Sequence, residues 1–408
     1  MGASLPFTGS ASPVNDRSTL IRTAFVSTYP PRYCGIATFT HDLAAVAGWR
    51  EIVALSPPDH QSPYPPEVHH RIRRDEAGDY ARTARALKHC AIDVVSIQHE
   101  YGIWGGADGE HVLEFLHALE IPAVATLHTV LRHPTLRQRQ ILVELVGATA
   151  ATVVMSRAAA ALLTRAYGID PSRVDVIPHG VLDLPLVDPE TMKPGLGLDG
   201  RAVILSFGLL GHGKGYEVAI EAMPTVVAAI PSARYMVLGA THPELLRREG
   251  ETYRQRLADR VDALGMADHV QFVDRFLDRV ELGRWLEAAD VFVTPYPNLE
   301  QIVSGTLAYA MGAGKAIVST PYTYAAELLA EGRGIVVPPG SSTALAAALI
   351  ALLRDANWRA ELGARAYSHS RAMIWPEVGN AYRRLFARIA DRPAVPEVLP
   401  AALAAASV

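Results

Sequence analysis

The segment VFVTPYPNLEQIVSGTLAYAMGAGK, Val291 to Lys315, decides the fold. It opens on Val291, Phe292 and Val293, an apolar run of the kind that forms a strand buried on both faces. A loop follows with Pro295, Pro297 and Asn298, and it carries one carboxylate, Glu300. Ser304-Gly305-Thr306 then leads into an Ala-, Leu- and Met-rich run that reads as a helix. Ser304 suits the N-cap, and Gly305 keeps the first turn free of side-chain bulk. The unpaired N–H groups and partial positive charge of a helix start suit a phosphate. A carboxylate and an anion-binding helix start thus meet at the carboxyl end of a buried strand. The same residues also read as an ordinary strand–loop–helix unit with Glu300 solvated.

Outward from this segment the pattern repeats. Strands are expected at Ala202–Phe207, Ala233–Leu238, Val270–Phe272, Ala316–Ser319 and Gly334–Val337, with helices between them. After the first of these runs GLLGHGKGYE, in which Gly208, Gly211, Gly213 and Gly215 surround Lys214 at a helix start. A glycine-rich backbone with one lysine can follow and neutralise a diphosphate. No Ser or Thr follows the Gly-Lys pair, so this is not the phosphate loop of nucleoside triphosphatases.

The first half alternates in the same way, with strands expected at Thr23–Thr28, Glu51–Leu55, Asp93–Gln98, Ala123–Leu127, Thr152–Met155 and Val174–Ile177. Strands alternating with helices argue for parallel sheets covered on both faces, and such sheets bind ligands beyond the carboxyl ends of their strands. Several polar groups fall at those ends. Gly35 turns the chain into a helix after Pro30 and Pro31; Gln98-His99-Glu100 precedes the Tyr101 to Gly106 loop with Trp104; His128 and His179-Gly180 end later strands. An imidazole at His128 can bond a sugar hydroxyl or act as a local acid or base, or be satisfied by neighbouring backbone. The aromatic loop suits a sugar ring or loop packing.

At 408 residues and 44.0 kDa, two domains are expected, joined by the Pro-, Gly- and acid-rich linker 183–200. A formal charge of −4 argues against nucleic acid as a partner. Cys34 and Cys90 make neither a disulfide framework nor a metal spacing, and the histidines lack ligand spacing, so no metal site is expected. No apolar run reaches membrane-spanning length, and residues 1–20 read as a loose leader without signal-peptide features. A cytoplasmic location follows as the expectation. Basic clusters at Arg71 to Arg74 and Arg132 to Arg139 read as solvated faces or as peripheral membrane contacts, the former favoured. The sequence leaves the oligomeric state open.

In this order the pieces resemble the retaining nucleotide-sugar glycosyltransferases of the GT-B fold, the large family that includes bacterial mannosyl- and glucosyltransferases. The resemblance runs from about residue 23 to 390 and rests on the Gly35 loop, TLH at His128, VIPHGV at 176–181 and GLLGHGKG at 208–215. It rests also on the run from Tyr309 to Glu327, which places Gly314, Lys315, Ser319 and Glu327 at the family's spacing. Two Rossmann-like parallel-sheet domains facing across a cleft are implied: an acceptor-side domain over 21–182 and a nucleotide-sugar domain over 201–370. Residues 371–392 would form a helix crossing back to the first domain, followed by a tail at 393–408. The implied activity is transfer of a hexosyl group, mannosyl slightly favoured, from a GDP- or UDP-hexose to a carbohydrate or other hydroxyl acceptor. Retention of configuration is implied, with neither metal nor cofactor beyond the nucleotide sugar.

By the same resemblance, His128, Lys214 and Glu300 carry the chemistry. Gly35, Gly208, Gly213, Ser304, Gly305, Thr306, Tyr309 and Glu327 form the donor site, with the Gly35 loop bordering the acceptor. His99, Glu100, Tyr101 and Trp104 lie on the acceptor side. Three positions depart from the family. Leu209 stands where an arginine is usual, and Gln301 and Tyr309 stand where two glutamates hold the donor hexose and the ribose; Glu300 lies one residue early. An epimerase or hydrolase acting on a sugar nucleotide, and a non-catalytic carbohydrate- or nucleotide-binding protein, are the competing readings.

Overall fold

The computed structural model describes residues 21–391 apart from 59 and 61. The expected leader at 1–20, the tail at 393–408 and the last residue of the expected crossover segment lie outside the described residues. The chain builds two sheets in sequence, and every strand pairing in both is parallel.

The first sheet contains β1 (Arg22–Ser27), β2 (Trp49–Ser56), β3 (Val68–Arg73), β4 (Val94–His99), β5 (Ala123–Leu127), β6 (Ala151–Val154) and β7 (Val174–Val176), in the order β3-β2-β1-β4-β5-β6-β7. The second contains β8 (Ala202–Phe207), β9 (Ala233–Leu238), β10 (Val270–Val273), β11 (Val291–Thr294), β12 (Ala316–Ser319) and β13 (Ile335–Val336), in the order β10-β9-β8-β11-β12-β13. Central strands are buried along nearly their whole length and mostly apolar because helices cover both faces. Phe25 pairs with Ile52 on one side and Ser96 on the other, and Phe292 pairs with Leu205 and Ile317; both phenylalanines are fully buried. Removing either ring would cost about 3–5 kcal/mol.

The edge strand β3, with the sequence VHHRIR, is absent from the sequence reading. Only Ile72 in it is buried, and its polar residues alternate outward. Histidine and arginine on an edge strand hide the apolar periodicity that marks the others, and they discourage pairing with another chain.

Each sheet changes winding direction at one place. In the first, β1 lies between β2 and β4; in the second, β8 lies between β9 and β11. Ligand crevices form at such switch points. The loops after β1 and β4 carry Gly35 and Glu100, and those after β8 and β11 carry Lys214 and Glu300. The two switch points face each other across a cleft.

The helix Trp375–Ala390 belongs physically to the first domain. Trp375, Val378, Tyr382, Phe386 and Ile389 share a core with Phe25, Phe39 and Leu43, and the Tyr382 hydroxyl lies 3.0 Å from the Thr126 hydroxyl. At the crossing point Val181 and Ile374 form a parallel bridge. The Val181 N–H donates to the Met373 carbonyl at 2.8 Å, and the Trp375 N–H donates to the Val181 carbonyl at 3.1 Å. The linker is anchored as well. Lys193 is buried and pairs with Asp290 of the second domain at 2.8 Å, because a buried ammonium needs a carboxylate.

Candidate functional site

A cleft of about 610 Å³ lies between the domains, a size suited to a small-molecule ligand. The expected chemical residues His128, Lys214 and Glu300 all line it, as do Gly35, Gly208, Ser304, Gly305, Thr306, Tyr309 and Glu100. Local rules of folding account for these positions. Ser304 has extended backbone angles and its hydroxyl accepts the Leu307 N–H at 3.3 Å, so it caps the helix Gly305–Gly312. The helix start therefore faces the cleft with its remaining N–H groups. A Cβ on Gly305 would lie 2.9 Å from His179 Nε2, which explains glycine at that position. Gly208 and Gly239 let two loops pack backbone on backbone. Gly208 has φ 129°, and a Cβ on Gly239, at φ 139°, would lie 2.0 Å from the Gly208 carbonyl oxygen.

Lys214 is placed by an aromatic ring. Its Nζ lies 4.4 Å from the centroid of Tyr296, whose hydroxyl is 2.9 Å from the Thr306 hydroxyl. Tyr296 thereby holds the cation beside the Ser304 helix start, and the two positive features form one corner whose charge suits an anion. Glu300 reaches toward the first domain, with a carboxylate oxygen 3.7 Å from His133 Nε2. The neighbouring Gln301 also lines the cleft, but its side-chain amide donates to the Val303 carbonyl at 2.8 Å. Of the two, Gln301 is tied to its own loop, and Glu300 points its carboxylate away from it.

Three histidines at strand ends are neutral at physiological pH. Burial pushes His128 down to about 3, with His179 and His99 adding to the effect. His179 falls to about 4 by burial, partly opposed by its bond to the Gly180 carbonyl, and His99 falls to about 4 by burial. His128 Nε2 lies 2.9 Å from the Gln98 side-chain oxygen, to which it donates as a neutral imidazole. Its other nitrogen remains an acceptor, suited to a sugar hydroxyl. Phe39 packs edge-on against both His128 and His179, at 4.9 and 5.2 Å. Glu100 lies beside this group. Desolvation raises its carboxyl above the ordinary range, opposed by the Thr129 hydroxyl and the Tyr101 and Gly102 N–H groups.

Five expected site residues lie away from the cleft lining. His99 is fully buried beneath the cleft floor, with both ring nitrogens unpartnered and its ring 5.0 Å from Tyr101. Tyr101 packs there, and its hydroxyl donates to the Gln138 carbonyl at 3.4 Å. Trp104 is a core residue: its indole N–H donates to the Gln98 carbonyl at 3.0 Å, and its ring packs against Tyr80 and Phe115. Of the expected acceptor-side group, Glu100 alone reaches the cleft, because the aromatic loop folds inward to complete the core. Gly213 serves the turn itself, at φ 84°. Glu327 is engaged elsewhere: its carboxylate accepts the N–H groups of Arg157 and Ala158 at 2.9 and 2.8 Å. It thus caps a helix of the opposite domain.

Other lining residues carry no motif in the sequence. Tyr296, His242, Phe276, Leu277 and Arg279 line the second domain's side of the cleft. They follow β9, β10 and β11 in loops with no glycine pattern to single them out. A helix start after β10 was the available signal, since Asp278 caps the helix Arg279–Ala288 by accepting the Glu281 N–H at 2.8 Å. Among the described residues there is no group of three His, Cys, Asp or Glu side chains placed to hold a metal ion, and no helix is long and apolar enough to cross a membrane.

Comparison with known proteins agrees with this arrangement. Residues 35–182 match the family Glycosyltransferase Family 4, and residues 201–355 match Glycosyl transferases group 1. The chain is 28% identical over 280 residues to a phosphatidyl-myo-inositol mannosyltransferase of Mycolicibacterium smegmatis, covering 66% of each chain. It is 29% identical over 233 residues to D-inositol 3-phosphate glycosyltransferase 2 of Catenulispora acidiphila, covering 55% of this chain and 53% of that one. The matches thus take in less than two thirds of these relatives' own length. Among solved structures, Anabaena HepE in complex with UDP and glucose superposes with a TM-score of 0.72 at 15% identity, over 90% of this chain and 100% of that one. The sucrose-phosphate synthase of Thermosynechococcus elongatus gives 0.71 at 19% identity over the same shares. Two glycosyltransferase domains in this order, built on two facing parallel sheets, place the chain in the GT-B glycosyltransferases.

Proposed function

We propose that the protein transfers a hexosyl group, with mannosyl favoured, from a nucleoside-diphosphate sugar to an acceptor hydroxyl, with retention of configuration and without a bound metal. The observation that carries this reading is the convergence of Lys214, the Ser304 helix start, Glu300 and His128 on one interdomain cleft. A mannosyltransferase among the relatives supports the sugar, and a structural neighbour with bound UDP supports the donor class.

Cleaving the bond from the anomeric carbon to phosphate leaves negative charge on the diphosphate and positive character on the sugar. Lys214 and the helix start stabilise the first, at fixed positions that need no reorganisation during the reaction. Glu300 holds the hexose, and neutral His128 accepts a bond from a sugar hydroxyl near the reaction centre. The acceptor oxygen attacks the anomeric carbon on the face the diphosphate leaves. Its proton passes to the departing phosphate oxygen, so no separate base is required. Closure of the two domains excludes water, which would otherwise hydrolyse the donor. The two relatives' names share a phosphorylated inositol, which makes phosphorylated cyclitols the first acceptors to try.

The test incubates purified protein with UDP- and GDP-hexoses, with and without acceptors. A new glycoside formed only when acceptor is present is expected. Donor altered without acceptor would favour an epimerase or hydrolase, and nucleotide binding without turnover would favour a binding protein.

A further inference from the structure

The cleft lining is uneven in chemistry. Both lining carboxylates, Glu100 and Glu300, lie beside the loop after β5, where Glu100 accepts the Thr129 hydroxyl and Glu300 lies 3.7 Å from His133. Phe207, Leu238, Phe276 and Leu277 supply an apolar wall elsewhere in the lining. Tyr309 belongs to the helix that Ser304 caps and touches that wall through Phe207. It lies four residues beyond Gly305, about 6 Å along the helix axis. Its ring is stacked at 6.2 Å from Phe207. A nucleoside diphosphate with its phosphates at Lys214 and its base on the apolar wall therefore brings its ribose to the level of Tyr309.

No lining carboxylate is available at that level. The charged group there is Arg279, which lines the cleft with its side chain 42% exposed. It forms an ion pair with Asp42, on the Gly35–Ala47 helix of the first domain, whose own side chain is 0% exposed. Asp42 also accepts the Tyr309 hydroxyl at 3.1 Å, and His41 Nδ1 lies 3.2 Å from its other oxygen. Beside this cluster Tyr33 of the first domain stacks on Phe276 of the second, at 4.9 Å with the rings 9° from parallel. A buried carboxylate of one domain thus fixes a guanidinium and a phenol of the other.

We propose that Arg279 reads the donor's ribose, and that Asp42 is its positioning residue, acting across the domain boundary without touching the ligand. The guanidinium has several donors in a rigid plane, so it serves Asp42 and still donates to a ribose hydroxyl oxygen. Pairing with Asp42 also offsets its charge, which leaves the diphosphate to Lys214. Asp42 reaches Arg279 only when the domains are together, so ribose recognition is complete only in the closed cleft. This inference rests on the proposed nucleotide-sugar donor, and its test uses binding rather than transfer.

The affinities of UDP and GDP are measured by calorimetry, and the tighter ligand is compared with its 2′-deoxy counterpart. Wild-type protein is expected to prefer the ribose form by about tenfold or more, the scale of one hydrogen bond to a charged group. In Arg279→Met, which keeps an apolar stem, that preference should fall to within about twofold, while the deoxy form binds nearly as in wild type. Asp42→Asn should reduce the preference as well, although the substituted side chain has no contact with the ligand. Arg279→Met with the wild-type ratio overturns the assignment, and it is the decisive variant should Asp42→Asn fold poorly. Folded Asp42→Asn with an unchanged ratio overturns the positioning role. Wild-type protein that binds neither UDP nor GDP overturns the donor reading itself, and this inference with it.

Discussion

Acidification should destabilise the protein steeply, because three neutral histidines are buried at the strand ends. His128 has a pKa near 3, and His99 and His179 have values near 4, against about 6.5 in an unfolded chain. The folded values lie below the unfolded one, so below about pH 6.5 the unfolded chain binds more protons. Stability is fully present above that pH and is lost as pH falls toward the folded values. Between pH 7 and 4.5 each imidazole removes on the order of 2 kcal/mol, and the three together several kcal/mol. That sum rivals the whole stability of an ordinary domain, about 5–15 kcal/mol. Glu100 acts in the opposite sense, because burial raises its pKa and acid relieves the cost of its charge.

Urea denaturation from pH 7.5 to 4.5, followed by circular dichroism and tryptophan fluorescence, measures the slope. His99→Met isolates one contribution, since it removes two buried nitrogens that have no partner. At pH 7 the variant should match wild type within about 1 kcal/mol, as an apolar group replaces unsatisfied polar atoms. At pH 4.5 it should be more stable than wild type by about 2 kcal/mol. A wild-type stability that stays flat from pH 7 to 5, or a slope for His99→Met equal to wild type, would refute the reasoning.

Lys214→Ala should lower turnover at saturating donor by roughly 10²- to 10³-fold with melting nearly unchanged, and a folded variant with wild-type turnover would remove its role. Glu300→Gln should depress turnover more than Gln301→Ala, because the Gln301 amide is already bonded to Val303; near-wild-type turnover in both would exclude Glu300. Glu327→Ala should cost about 1–3 kcal/mol in urea denaturation by uncapping the Arg157 helix start, with donor affinity preserved. A loss of donor affinity at unchanged stability would return Glu327 to the donor site.

Most strand positions in both sheets were legible because buried parallel strands are largely apolar, as VFVT at Val291 is. The strand at Val68–Arg73 was not, since an edge strand rich in His and Arg carries no such run. Loops that line the cleft were legible through glycine and a cap, as at Gly208 and Ser304. Residues acting across the cleft were not. Asp42 lies within an ordinary helical pattern, and only the folded chain brings it to Arg279 and Tyr309. Trp104 shows the converse error, in which an aromatic loop that suits a sugar proves to be core, with its N–H already bonded at Gln98. The basic clusters were legible only as alternatives. Arg73 pairs with Asp79, Arg74 with Asp75 and Arg137 with Glu110, so part of their charge is spent within the first domain.

The bridge between Val181 and Ile374 has a mechanical consequence. The chain passes between the domains twice, and the two passages are hydrogen-bonded to each other side by side. They form one pivot rather than two separate tethers, so the cleft opens as a book does, about a spine, and sliding or twisting is resisted. The spine also separates covalent order from physical membership. A fragment ending at the linker would lack the helix Trp375–Ala390 and leave Phe25, Phe39 and Leu43 uncovered. Such a fragment would need that helix supplied as a separate peptide to regain its fold, whereas the second domain could lose it without opening its core.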